Sequence, residues 1–157
     1  MVEVSESAVA RSIAWIKTVE ESISKFGGDD FAKKVLKCTG NKCAEQMFND
    51  CTQIMGRKPE TVNELLDAMN RRRRQKLNIN SLWERTDNKA HLKIPDECGC
   101  TLAKAGLAKP NPIHCLCSQG MMEQIFSYVC KGSVSVEIVN AVGFGNDCCE
   151  FIVTFEE

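Results

Sequence analysis

Two short cysteine pairs, Cys98-Gly-Cys100 and Cys115-Leu-Cys117, the second preceded by His114, are the residues of this chain best suited to chemistry. Fourteen residues rich in Ala, Gly and Pro separate the pairs, and the second runs into Ser118-Gln-Gly-Met-Met-Glu-Gln-Ile-Phe126, which reads as a helix start. On an extended backbone, residues two apart share a face, so each pair would present its sulfurs in one direction. A metal site is the leading chemical reading, because zinc takes four thiolate or imidazole ligands. Cys98, Cys100, Cys115 and Cys117, with His114 or Cys149 as substitutes, supply such a set. The Cys-x-Cys spacing also suits copper(I) or an iron–sulfur cluster.

A nucleophilic thiol is the second reading. A helix amino terminus favours the thiolate, and Cys117 lies beside one. His114 and His91 are the only imidazoles that could act as its base. Cys117 and His114 are therefore the catalytic candidates, although no third group is placed to orient them. Free cysteine is also a small buried hydrophobe, which accounts for Cys51, Cys130 and Cys148. Cys38 and Cys43 bracket Thr-Gly-Asn-Lys at a helix junction, where they either line the same pocket or close a turn.

The chain has 157 residues, 43% apolar and 26% charged, with a net charge of −1. These values fit one soluble globular domain, 1–157, with a mostly helical part over 1–75 and an α+β ligand-binding part over 80–157. The amino end, Met1-Val-Glu-Val-Ser-Glu-Ser7, lacks the basic and apolar regions of a leader, and no apolar run reaches membrane-span length. The expectation is a cytoplasmic protein that binds neither membrane nor nucleic acid, whose ten cysteines are thiols or ligands rather than a disulfide framework. The one basic block, Arg71-Arg-Arg-Arg74 with Lys76, reads as a solvated helix end.

The elements that must position these residues follow from periodicity and punctuation. Val9, Ile13, Ile16, Val19 or Glu20, and Ile23 describe one apolar helix face over Ser5 to Phe26, which Gly27-Gly28 ends. Asp29-Asp30 caps a second helix, Phe31 to Lys37, and Asn41 a third that closes at Gly56. Pro59 opens a fourth, with Val62, Leu65, Leu66 and Met69 inward. Leu82–Thr86 and Ala90–Ile94 flank Asp87-Asn-Lys89 as a hairpin that Pro95 stops. A loop-rich crossing with a short helix near Leu102 to Leu107 leads to a helix over Ser118 to Cys130. A closing hairpin pairs Ser133–Val142 with Cys149–Phe155 across Gly143-Phe-Gly-Asn-Asp147. The fold class is α+β: amino-terminal helices packed on a helix-backed antiparallel sheet ending in a carboxyl-terminal hairpin.

Met121, Met122, Ile125, Phe126 and Tyr128, with Phe151 and Phe155, form either core or the wall of an apolar pocket. Trp83 belongs with them, and Trp15 packs between helices or at a dimer contact.

Residues 98 to 155 resemble the 4-vinyl-reductase-like small-molecule-binding domain, and more closely a group of short bacterial proteins related to it. Cys98-Gly-Cys100, Cys115-Leu-Cys117-Ser-Gln-Gly120 and Gly143-Phe-Gly145-Asn-Asp147-Cys-Cys149-Glu-Phe151 carry the resemblance. It implies a pocket between helices and sheet, lined by Met121, Met122, Ile125, Phe126 and Trp83, for a small hydrophobic or aromatic ligand. In one branch of that family, zinc is held by a cysteine before the helix and by an acid and two cysteines of the hairpin. Cys115 and Cys149 match two of those places, whereas Ala141 stands at the third and Ile138, beside Glu137, at the fourth. Either Cys98, Cys100 and Cys117 replace the missing ligands or no zinc is bound. Some relatives are thiazoline-carboxylate hydrolases, which implies hydrolysis where the residues align. The reading is a ligand-binding or sensing domain with a cysteine-rich zinc site, as a homodimer or with a separate signalling partner. A small hydrolase using a cysteine or metal-bound water, and a non-catalytic regulatory partner with inert thiols, are the alternatives.

Overall fold

The computed structural model describes residues 5–77 and 80–157. The amino-terminal Met1–Val4 and the side chain of Lys76 lie outside the described residues.

The first helix, α1, spans Glu6–Met55, with Ser5 capping its first turn through Oγ and the amide of Ala8. Gly28 interrupts it at φ 73°, a conformation that costs little without a Cβ, and Gly56 closes it in the left-handed region. The Gly27-Gly28 stop therefore falls where the sequence places it. The second expected stop, at Cys38 to Asn41, does not exist, and the helix runs through it. Gly40 is buried there and serves a packing contact instead.

Helix α2, Val62–Leu77, buries Val62, Leu65, Leu66, Ala68 and Met69. Its arginines are not simply a solvated end. Arg72 Nε donates to Asp50 Oδ2 at 2.7 Å, tying α2 to α1, and both side chains are largely shielded. Arg73 Nε donates to the carbonyl of Ser81 at 2.6 Å. Asn70 clasps the backbone of Trp83, donating to its carbonyl at 3.0 Å and accepting its amide at 2.8 Å, which fixes the entry to the sheet.

Strands β1 (Glu84–Thr86) and β2 (Lys89–Pro95) form the first hairpin. A short helix, α3 (Thr101–Lys104), precedes α4 (Pro112–Ser127), and strands β3 (Val134–Asn140) and β4 (Cys148–Phe155) close the sheet. All pairings are antiparallel in the order β1-β2-β4-β3, so β4 joins the two hairpins through its ladder with β2. That ladder ends at Pro95 opposite Cys148, consistent with the missing amide of proline. One face of the sheet, carrying Ala90, Leu92, Ile94, Phe151, Val153 and Phe155, is buried with α4 and α2 residues in a single core. The α+β class is as expected.

Helix α4 begins at Pro112, six residues before the expected Ser118. Asn111 caps it, accepting the amide of His114 at 2.8 Å, and Pro112 occupies the first helical position, where no amide is needed. Cys115 and Cys117 consequently sit on a helix, where residues two apart do not share a face. Among the described residues no helix is long and apolar enough to cross a membrane. Trp15 is 68% exposed, so it does not pack between helices of its own chain.

Candidate functional site

The helical start of α4 sends its two cysteines to different neighbours. Cys117 faces α1, where it shares a hydrogen bond with Cys43 and meets Thr39. Cys115 turns toward the closing hairpin, against Gly143, and burial pushes its thiol up to about 11 despite the nearby Gly143 amide. The first pair divides in the same way. Cys98 shares a hydrogen bond with Cys149 of β4, whereas Cys100, which caps α3, lies 3.4 Å from Nε2 of His114. In each thiol pair the donating sulfur keeps its proton and is pushed up, as Cys98 and Cys117 are, and the accepting sulfur is pulled down, as Cys149 and Cys43 are.

This distribution bears on the metal reading. Among the described residues no three His, Cys, Asp or Glu side chains gather so as to hold a metal ion. Instead of one four-ligand set, Cys98 pairs with Cys149, Cys117 with Cys43 and Cys100 with His114. Of the two other positions that the resemblance singled out, Ala141 is buried and Ile138 half-buried, with Glu137 exposed beside it. The four-ligand chemistry of zinc finds no fit in this arrangement of the described residues.

What the fold does assemble is a line of three groups. His114 Nδ1 lies 2.5 Å from Oε1 of Glu20, and its Nε2 faces Cys100 Sγ on the other side. Glu20 and His114 are 8% and 6% exposed, so water screens this line little. Asn111 completes it from the cap of α4, donating from Nδ2 to Oε2 of Glu20 at 2.8 Å. One asparagine thus starts the helix that carries His114 and holds the carboxylate that orients it.

The electrostatics follow from these contacts. His114 is raised to about 10, chiefly by its hydrogen bond to Cys100 and then by that to Glu20, against the opposing effect of burial. Burial pushes the Glu20 carboxyl up, but the hydrogen bonds to His114 and Asn111 outweigh it and leave the group below its ordinary range. Cys100 behaves alike: burial raises it, and His114 with the amides of Ala103 and Leu102 brings it below the ordinary thiol range. These shifts favour carboxylate, imidazolium and thiolate along the line, the arrangement that activates a sulfur nucleophile.

Of the two residues read as catalytic candidates, His114 faces Cys100 rather than Cys117, which faces Cys43. Glu20 and Asn111 were missed. Glu20 was nevertheless visible as a carboxylate four residues after Ile16 on an apolar stripe, and Asn111-Pro112 is a recognisable helix start. His91 lies elsewhere, on the other face of the sheet, with Nε2 2.8 Å from Glu150 Oε1.

The expected pocket lining is core. Ile125 and Phe126 are fully buried, Met122 and Trp83 nearly so, and Met121 is packed against them. Trp83 meets Phe126 edge-on at 5.6 Å, and Phe126 stacks on Phe155 at 5.9 Å, so these side chains occupy one another's space. Cys51 lies in the same core, with Cys130 half-buried against it. An open cleft of about 360 Å³ lies instead between α1, α4 and the start of β3, walled by Lys37, Asn41, Glu123, Gln124 and Ser127 with Gly120 in its lining. Lys37 Nζ and Glu123 Oε1 pair across it at 2.8 Å, and Cys38 lines its rim while Cys43 does not.

No protein-family model matches the chain, and no curated protein sequence matches it. Among solved structures the fold is similar to a trafficking protein particle complex subunit 3 from Naegleria fowleri covalently bound to palmitic acid, at 12% identity, TM-score 0.61 and 95% of both chains. It is also similar to an H-NOX protein from S. oneidensis in the Fe(II)NO ligation state, at 13% identity, TM-score 0.56, covering 99% of this chain and 78% of that one. A vinyl-4-reductase family protein from Methanocaldococcus jannaschii matches at 13% identity and TM-score 0.40, covering 100% of this chain and 85% of that one. The first two share the fold of this chain; the third is too distant in shape to argue from.

Proposed function

We propose that the protein is a small-molecule-binding domain whose ligand occupies the cleft between α1, α4 and β3. The observation that carries this reading is the cleft itself, about 360 Å³, set beside a core that is already filled. Its walls offer an ammonium, a carboxylate, two amides and a hydroxyl from Lys37, Glu123, Asn41, Gln124 and Ser127. A small polar molecule with both donors and acceptors suits these groups better than the small hydrophobic or aromatic ligand that the resemblance implied. The fold supports the class of function without naming the ligand. The trafficking subunit holds palmitic acid and the H-NOX protein holds nitric oxide, and one scaffold that hosts such different molecules leaves specificity to local side chains.

Binding is tested by thermal shift against a panel of small polar acids, amides and amines, using Lys37→Ala and Ser127→Trp as controls. A compound that raises the melting temperature of the wild type, but of neither variant, supports the cleft. A shift that survives Ser127→Trp moves the ligand elsewhere, and a panel without any shift removes the proposal.

A further inference from the structure

We propose that Cys100 is a nucleophilic acyl-acceptor site, in which His114 and the buried Glu20 behind it prepare the sulfur to take an acyl group from a small thioester. The site does not depend on the α1–α4 cleft, and its test reads a different residue.

The thiols divide between two kinds of partner. Cys43 and Cys117 share a hydrogen bond, as do Cys98 and Cys149, so four sulfurs answer to other sulfurs. Cys100 instead faces an imidazole at 3.4 Å, and that imidazole is locked by a carboxylate at 2.5 Å from its far nitrogen. A thiol pair is suited to exchange with another thiol. A thiol, an imidazole and a carboxylate in line are suited to acyl transfer, because the imidazole can both hold the thiol proton and return it to a leaving group. Burial makes the arrangement specific. Glu20 and His114 are shielded while Cys100 keeps partial exposure beside the exposed Gly99 and Leu102, so of the three residues it is the one nearest to solvent.

The step balances without any oxidant or metal. The Cys100 thiolate attacks the carbonyl carbon of the donor thioester, forming a carbon–sulfur bond. The donor's own carbon–sulfur bond breaks, and the departing thiolate takes the proton from Nε2 of His114. The products are an acyl-Cys100 thioester, a free thiol and a neutral imidazole. Glu20 touches none of the reacting atoms and acts as a positioning residue, keeping Nε2 aimed at the sulfur.

The test incubates the intact protein with S-acetyl-N-acetylcysteamine, following thiol release together with the intact mass and a peptide map. The expected result is one acetyl group on Cys100, or catalytic thiol release if water then clears it, lost in either case in Cys100→Ala. The acid fall of the rate at Cys100 should begin at lower pH than that of an ordinary thiol of pKa about 8.5. His114→Asn should slow the reaction about a hundredfold, the usual scale of acid–base assistance. Glu20→Gln should move the acid arm of the pH profile upward, which a merely structural role would not do. Acetylation confined to other cysteines, or a Cys100 rate that falls with acid like a free thiol, overturns the proposal. The wild-type pH profile alone decides the matter if a variant fails to fold.

Discussion

Gly40 and Gly120 face each other across the α1–α4 crossing so closely that neither position has room for a side chain. A Cβ on Gly120 would lie 2.2 Å from the carbonyl oxygen of Lys37, and one on Gly40 would lie 2.2 Å from that of Cys117. Both obstacles are backbone, which cannot swing aside as a flexible side chain would. Gly40→Ala and Gly120→Ala should each therefore cost about 1–3 kcal/mol, the range for overpacking a tight contact. The double variant should cost less than the sum, because helices already pushed apart accommodate the second methyl. Urea denaturation measures all three, and unchanged midpoints would contradict the crossing.

Gly143 and Gly145 are required for different reasons, and alanine separates them. Gly145 adopts φ 90° with open space around it, so a side chain there meets only the left-handed penalty of about 1–2 kcal/mol. Gly143 has ordinary φ but no room, since its Cβ would lie 2.5 Å from Cys115 Sγ and 2.6 Å from the Asn111 carbonyl oxygen. Gly145→Ala should lower stability without disturbing the α4 start. Gly143→Ala should also disturb the cap that holds Glu20, visible as a slower reaction at Cys100. Equal effects of the two variants on that reaction would contradict the distinction.

Those two glycines were legible from the turn cluster in which they stand, and so were the two hairpins, from alternation and punctuation. Gly40 was not. A glycine between polar residues reads as a stop, and only the partner helix reveals that it is an approach. The cysteines stood out as the residues best suited to chemistry, and their grouping depended on whether residues 112–117 were extended or helical. Asn111-Pro112 decides that question locally, and once the helix starts there Cys115 and Cys117 must diverge. Glu20 pairs with a residue 94 positions away, a distance that periodicity does not reach. A carboxylate on an apolar stripe was its only trace.

Metal content follows from the same divergence. Because the thiols are satisfied in pairs and by His114, anaerobically purified protein should carry no stoichiometric zinc. A chelator should leave limited proteolysis between Lys104 and Lys109 unchanged. Stoichiometric zinc that disappears in both Cys98→Ser and Cys149→Ser would instead show that the sulfurs regroup around an ion, with the binding energy contributing to folding.

The Glu20 carboxylate should set the acid limb of stability. Burial pushes its pKa up, but the hydrogen bonds to His114 and Asn111 prevail and hold the folded value below the ordinary one. A lowered folded value means that the carboxylate stabilises the protein above its unfolded pKa of about 4.3, and that this contribution is lost as pH falls through the folded value. Below pH 6 an unfolded histidine is already mostly protonated, and His114, raised to about 10, is protonated in the folded state too, so its titration adds little. The comparison is therefore cleanest between pH 6 and pH 2. Wild type should melt above Glu20→Gln by a constant margin from pH 6 to about pH 5, and the margin should shrink as acid protonates the carboxylate. Chemical denaturation of both proteins across this range measures it. A margin that persists unchanged to pH 2 would mean that Glu20 contributes shape rather than charge, and would leave Cys100 alone to raise His114.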